Sequence, residues 1–346
     1  MLFRNVEVSG RRVDVRANET TVAEVGDALE AGNEEVVDGS GGALLPGLHD
    51  HHVHLLAMAA AENSISLSGI ADNSAVAEAL RAADATLPTG AWLRAVGWHG
   101  PDLDRAALDA VVPDRPVRVQ HRSGALWVLN TRGLEAVGLE EPDGRLYGRD
   151  ALLRERITSE QTPDVAAVGR RLASYGVTGV TDATPTDRAE DIALLAATKL
   201  TVLAMSSPAL TFEGNGPAKI LLADHALPGI DEVVGQMHRA RAAGRTIAVH
   251  CVTTAALVLA LAAWDDIGVR PGDRIEHGSV IPDDLVPVLA ERGLTVVTQP
   301  NFVAERGDDY LAEVDAADQP FLYRCRALLQ AGVPIAFGTD APFGDP

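Results

Sequence analysis

The chain has 346 residues, 47% hydrophobic and 23% charged, which supplies apolar material for one large core or two modest ones and excludes a disordered chain. Its formal net charge of -20 argues against a nucleic-acid partner or an anionic membrane surface, because both would repel it. No run approaches the ~18 to 20 apolar residues of a spanning helix, and MLFRNVEV opens as an alternating strand rather than a basic and then apolar leader, so a soluble cytoplasmic protein is expected.

Residues 1–43 alternate apolar and polar between turn residues, the pattern of a small antiparallel β unit too short to fold alone. From residue 44 the rhythm becomes strand then helix. Apolar strands are predicted at ALLPGLHDHHVHL, VTGVTDAT, LTVLAMSS, AKILLAD, TIAVHCV, DRIEHGSV, LTVVTQP and VPIAFGTD. Helical patterns occupy 187–199, 230–244, 254–268, 282–293 and 321–332. Continuous apolar strands alternating with amphipathic helices imply an α/β protein with a parallel sheet covered by helices, and eight such strands point to a (β/α)8 TIM-like barrel over 44–346. Between the first two strands, residues 65–157 exceed a single crossover. They hold a helical stretch and two apolar stretches with Trp92, Trp98 and Trp127, and are expected to form a lobe inserted over the barrel mouth.

The segment 49–54 places four of the chain's ten histidines and one aspartate in six positions. Side chains alternate faces along a strand, so His52 and His54 point one way and His51 the other, with His49 further back. The H-x-H pair is therefore suited to a metal, although alone it is weak evidence. Three further predicted strands end in ligand-type residues, at His250, His277 and Asp340. Barrel strand ends converge on one mouth, and buried imidazoles and carboxylates are costly unless paired or metal-bound. Nitrogen and oxygen donors without thiolates suit zinc first, with manganese, iron or cobalt as alternatives. Cys251 and Cys325 are too few for a disulfide framework and read as reduced, buried thiols.

With PGLHDHHVHL, VHCVT, IEHGSV and GTDAP in this order, the chain resembles the amidohydrolase superfamily. AVGWHG, HRSGALWVLN and GVTGVTDA further resemble its amidohydrolase-3 branch, which includes N-substituted formamide deformylase-like enzymes. The resemblance implies one or two divalent ions: His52 and His54 on the more buried one, His250 and His277 on the second, and Asp340 on a metal while contacting the attacking water. It also implies a carboxylated Lys219 bridging the two ions. Of 29 basic residues only Lys199 and Lys219 are lysine, and an amine can form a carbamate where a guanidinium does not readily do so. The alternative for Lys219 is a buried ion pair, with Asp224 or His225 at the mouth and a mononuclear site.

The implied activity is metal-dependent hydrolysis of a carbon–nitrogen bond in an amide, formamide or carbamate. Asp340 acts as the proton carrier, and His277 helps to stabilise the oxyanion. Asp50, His51 and Glu276 are expected to orient ligands or face the core. His99, His121, Arg122, Trp127 and His225 are candidates for the substrate pocket, and His49 and His238 have no chemical role. A ring deaminase on the same fold is disfavoured, because no acid closely follows His250. A non-catalytic binding protein retaining the fold is the remaining alternative. The expected partner is a small molecule, with homo-oligomerisation left open. The resemblance also implies a closing helix and returning strands beyond Asp340, of which the N-terminal unit would be half of a β-sandwich. The 346 residues alone are therefore expected to expose apolar surface and to fold poorly.

Overall fold

The computed structural model describes residues 1–18, 21–70, 72–100, 103–157, 163–185, 188–209 and 216–346. They separate into two compact units, Met1–Leu48 and His49–Pro346. The first unit is a four-stranded sheet in the order Val22–Gly26, Arg11–Ala17, Leu2–Val8, Val36–Asp38. Alternation in Leu2–Val8 and Arg11–Ala17 turns Val6, Val13 and Val15 to one face, where Phe3, Val8 and Leu44 pack on them. The expected antiparallel pattern holds except that Leu2–Val8 and Val36–Asp38 run parallel.

In the second unit eight strands follow the predicted positions: β1 (Leu48–Val53, reaching back one residue into the first unit), β2 (Val177–Asp182), β3 (Thr201–Ala204), β4 (Ala218–Leu221), β5 (Ile247–Cys251), β6 (Arg274–His277), β7 (Thr295–Thr298) and β8 (Ile335–Phe337). β1, β2 and β3 form one sheet, and β4 to β8 form another in which every neighbouring pair is parallel. A parallel bridge between Ser206 and Ala218 links the chain after β3 to β4. At the other edge, the Asp340 amide donates to the His52 carbonyl at 2.8 Å and the His54 amide to the Ala341 carbonyl at 2.9 Å.

Helices Ile230–Ala242 and Thr254–Ile267 pack on the larger sheet through Met237, Leu257, Leu261 and Trp264, burying an apolar layer with Ile220, Val249, Ile275 and Val296. Helix Asn301–Glu313, directly after β7, was not expected from the sequence. Its first residue follows Pro300 without a side-chain cap, and only Phe302 is buried among its residues. Asp187, the start of the expected 187–199 helix, lies outside the described residues; the helix there covers Ala189–Leu195.

Residues 65–147 hold a separate five-stranded sheet, in the order Arg145–Tyr147, Leu126–Leu129, Val117–His121, Leu93–Trp98, Ile65–Ser66. Asn130 locks it. Its side-chain oxygen accepts from the amides of Val117 and Gly133, and its nitrogen donates to the carbonyls of Val112 and Arg115. Among the described residues no helix is long and apolar enough to cross a membrane. Cys251 is buried as expected, whereas Cys325, at the start of a helix, is only half-buried.

Candidate metal centre

Strand alternation in β1 sorts its histidines. His49 and His51 share a face, with rings 4.5 Å apart, and Nε2 of His49 lies 3.0 Å from the Thr181 hydroxyl. Asp50 and His52 are buried on the opposite face. His54 follows the strand end at the start of helix Leu55–Glu62, whose first amide donates to Asp182 Oδ2 at 2.8 Å. Oδ1 of Asp182 accepts from the Thr184 amide, and the Thr184 hydroxyl lies 3.0 Å from Nδ1 of His54.

Three of the candidate ligands are held in the same way, through Nδ1 of the ring. Nδ1 of His52 pairs with Glu276, Nδ1 of His54 with Thr184, and Nδ1 of His277 with the side-chain oxygen of Gln299 at 2.9 Å. When each Nδ1 carries the donated proton, Nε2 is left as a lone pair. The Nε2 atoms of His54 and His52 lie 3.1 and 3.5 Å from Oδ1 of Asp340, an oxygen that is buried without a hydrogen bond. Donors at ~2.0 to 2.1 Å around a tetrahedral ion stand roughly 3.3 Å apart, which is this spacing. Candidate donor atoms of His52, His54 and Asp340 all fall within 4.8 Å of one another. The ring of His277 lies 4.7 Å from that of His52 and 4.4 Å from that of His250, so the strand ends of β1, β5, β6 and β8 meet.

The electrostatics suit a cation. Burial, reinforced by Lys219, pushes His52 down to about 3, and burial likewise lowers His250 and His277, so all three are neutral and able to coordinate. Burial opposes ionisation of Asp340, but the imidazoles of His52, His54 and His277 outweigh it and hold its carboxyl below the usual carboxylate range. Glu276 is also buried, yet Arg274, Lys219 and His52 keep it ionised. His277 and Asp340 both have left-handed backbones, with φ of 67° and 58°. Non-glycine residues held there store strain of about 1 to 3 kcal/mol, as functional sites do.

Lys219 on β4 is buried, with Nζ 3.5 Å from Nε2 of His52 and 3.9 Å from Glu276. Its carboxylate neighbour is therefore Glu276 and not Asp224, which accepts from the Thr253 hydroxyl at 2.6 Å. Burial lowers its pKa toward the neutral amine that either coordination or carbamate formation needs. Neutral imidazoles, an orphaned buried carboxylate oxygen and the donor spacing together fit a divalent metal ion.

Residues 35–346 match the Amidohydro_3 model of the amidohydrolase family. The chain belongs to the amidohydrolase family. The Bacillus subtilis (strain 168) protein YtcJ is 23% identical to it, over 89% of this chain and 72% of that protein. The N-substituted formamide deformylase of Arthrobacter pascens is 24% identical, over 98% of this chain and 77% of that enzyme. Two solved structures share the fold: a metal-dependent hydrolase from Pyrococcus horikoshii OT3 (TM-score 0.76, 20% identity, 99% and 83% of the two chains) and N-isopropylammelide isopropylaminohydrolase from Burkholderia multivorans (TM-score 0.54, 17% identity, 99% and 75%).

The residues expected to contact substrate occupy different settings in this amidohydrolase. Arg122 forms ion pairs with Asp309 and, at 3.5 Å, with Glu313, both on helix Asn301–Glu313. His99 approaches the same two carboxylates at 3.9 and 3.5 Å. His121 sits between Trp98 and His99, and its Nδ1 accepts from the Ser123 amide; burial, then His99, lowers it to about 4. Trp127 is buried in the lobe, donating to Asp150 at 2.8 Å with its ring 4.8 Å from the Arg118 guanidinium, because all of Leu126–Leu129 is buried. His225 is exposed, near Tyr147. At Gly124 of the lobe a Cβ would fall 2.6 Å from the Phe343 ring, itself 5.3 Å from the ring of His54.

Sequence reasoning missed Thr184, Gln299, Arg274, Asp309 and Glu313. Thr184 closes the predicted strand VTGVTDAT and Gln299 is the next-to-last residue of LTVVTQP, a strand-end signal that could have found them. Asp309 and Glu313 carry none beyond their four-residue spacing.

Proposed function

We propose that this amidohydrolase is a metal-dependent enzyme that hydrolyses a carbon–nitrogen bond of a small amide, formamide or carbamate. The observation that carries the reading is the convergence of His52 Nε2, His54 Nε2 and the orphaned Asp340 oxygen, with the far nitrogen of each ring already committed. His250, His277 and Lys219 would supply a second position. The formamide deformylase relative supports the bond class. We further propose that β1 to β8 close as a (β/α)8 barrel, a reading supported by the Ser206–Ala218 bridge and the Asp340–His52 hydrogen bond.

These donors would hold a divalent ion, zinc above all, which when bound would lower the pKa of a water toward neutrality and polarise a carbonyl. Asp340, held ionised, accepts the proton of the attacking water and delivers it to the departing nitrogen. His277, whose Nδ1 proton goes to the side-chain oxygen of Gln299, offers a lone pair on Nε2 and so would serve as a ligand and not as the donor to the developing oxyanion that the sequence suggested.

The test is elemental analysis of the purified protein, together with amine release from a panel of N-formyl and N-acyl amines and carbamates. At least one equivalent of metal and activity abolished in the His52→Ala/His54→Ala double variant are expected. A double variant with wild-type activity, or a wild type that binds no metal on addition, rejects the reading.

A further inference from the structure

The four histidines of the centre differ in what holds the far ring nitrogen. His52 has a carboxylate (Glu276), His277 an amide oxygen (Gln299) and His54 a hydroxyl (Thr184). Among the described residues no hydrogen-bond partner holds His250, whose ring packs on His277. Acceptor strength falls in that order. A hydrogen bond to an ionised acceptor is roughly twice as strong as a neutral one, and a carboxylate behind a ligating imidazole raises its donor strength.

Glu276 is also fixed in place. Its other oxygen accepts from Nε of Arg274, and Nη2 of Arg274 donates to the His51 carbonyl at 2.9 Å. One residue on β6 thereby holds both the ring of His52 and, through Arg274, the backbone of β1. Glu276 is 0% exposed, so solvent and salt screen its charge little.

We propose that Glu276 is a positioning residue that makes the His52–His54–Asp340 end load first and retain its divalent ion more tightly than the His250–His277 end. The proposal rests on the metal-dependent reading above. Glu276 aims the Nε2 lone pair of His52 and places a fixed negative charge behind it, whereas His250 has neither aid.

The experiment strips the full chain with a chelator and titrates it with Zn²⁺ or Co²⁺ against a chromophoric competitor, with the cobalt absorption bands as a second readout. The wild type is expected to fill a tight position and then a weaker one. Glu276→Gln should loosen the tight position about 10- to 100-fold and shift its cobalt bands, with the weak position moving less than about 3-fold. Thr184→Val, removing only a hydroxyl acceptor, should loosen the tight position by less than Glu276→Gln does. Because Glu276→Gln leaves Arg274 without its charge partner, the double variant Arg274→Met/Glu276→Gln removes both charges and is expected to give the same result if the single variant does not fold. Two indistinguishable wild-type positions, equal loosening of both by the variants, or a first ion held with wild-type affinity by a folded variant would each overturn the proposal. A wild type that takes up no ion instead overturns the metal-dependent reading itself.

Discussion

The hydroxyl of Thr339 donates to the buried carboxylate of Asp50 at 2.6 Å, across 289 positions of sequence. The same carboxylate accepts from the amides of Thr339 at 3.1 Å and of His52 at 3.0 Å. Asp50 thus ties β1 to the turn after β8, two residues before His52 and opposite the residue before Asp340. Asp50→Ala leaves three donors without their acceptor and should destabilise the fold by about 2 to 4 kcal/mol. Thr339→Val should cost about 1 kcal/mol. Urea melts measure both, and an Asp50→Ala midpoint equal to wild type would refute the tie.

Gly338 permits the same junction. A Cβ there would lie 2.5 Å from both the backbone nitrogen and the Cβ of His52. Backbone cannot step aside as a flexible side chain can, so Gly338→Ala should cost about 1 to 3 kcal/mol by overpacking. It should also lower metal content, since the strand carrying Asp340 is pushed from the one carrying His52. Elemental analysis after gel filtration checks the second effect, and full metal content would contradict it.

Removing the metal should lower the melting temperature by a few degrees. An ion present at 100 times its dissociation constant adds about 2.7 kcal/mol when it binds only the folded chain. Calorimetry before and after chelation, and again after Zn²⁺ is restored, reads this. A melting temperature indifferent to both steps would mean that the ionised Asp340 does not need a cation.

Arg122 joins the lobe to helix Asn301–Glu313 through carboxylates that are 39% and 55% exposed. Exposed pairs of this kind are worth ~0 to 1 kcal/mol, so Arg122→Ala should barely change the melting temperature. Local opening is the more sensitive readout, and amide hydrogen exchange in 301–313 should accelerate in the variant. High salt should bring the wild type toward it. Unchanged exchange would show that the ion pairs do not hold the helix.

His121 titrates near 6.5 in the unfolded chain and at about 4 in the fold, lowered by burial and then by His99. Between those values the unfolded chain binds the extra proton, so this residue's contribution to stability is present above about pH 6.5 and is lost as pH falls toward 4. His121→Gln should therefore flatten the decline in stability over that interval. Urea midpoints at three pH values within it test this, and a decline as steep as that of wild type would remove His121 as its cause.

The strand-end residues His52, His54, His250, His277 and Asp340 were readable because a strand turns alternate side chains to one face and a ligand-type residue closing an apolar run stands out. The eight strand positions were readable for the same reason, as apolar runs separated by helical periodicity. The partner of each ring was not: Glu276 could be named as a residue that orients a ligand, but that it holds His52, and that Thr184 and Gln299 hold His54 and His277, depends on which strands become neighbours. Lys219 illustrates the difference. Its rarity marked it in the sequence, but only packing put Glu276, 57 positions downstream, beside it in place of the nearby Asp224. Helix Asn301–Glu313 escaped notice because it buries little of its own surface and spends its acids on the lobe. Local periodicity, a property of the chain, determined which side chains the strand ends offer; the pairing of strands distant in sequence decided which of them meet, which nitrogen each leaves free, and what charge lies behind it.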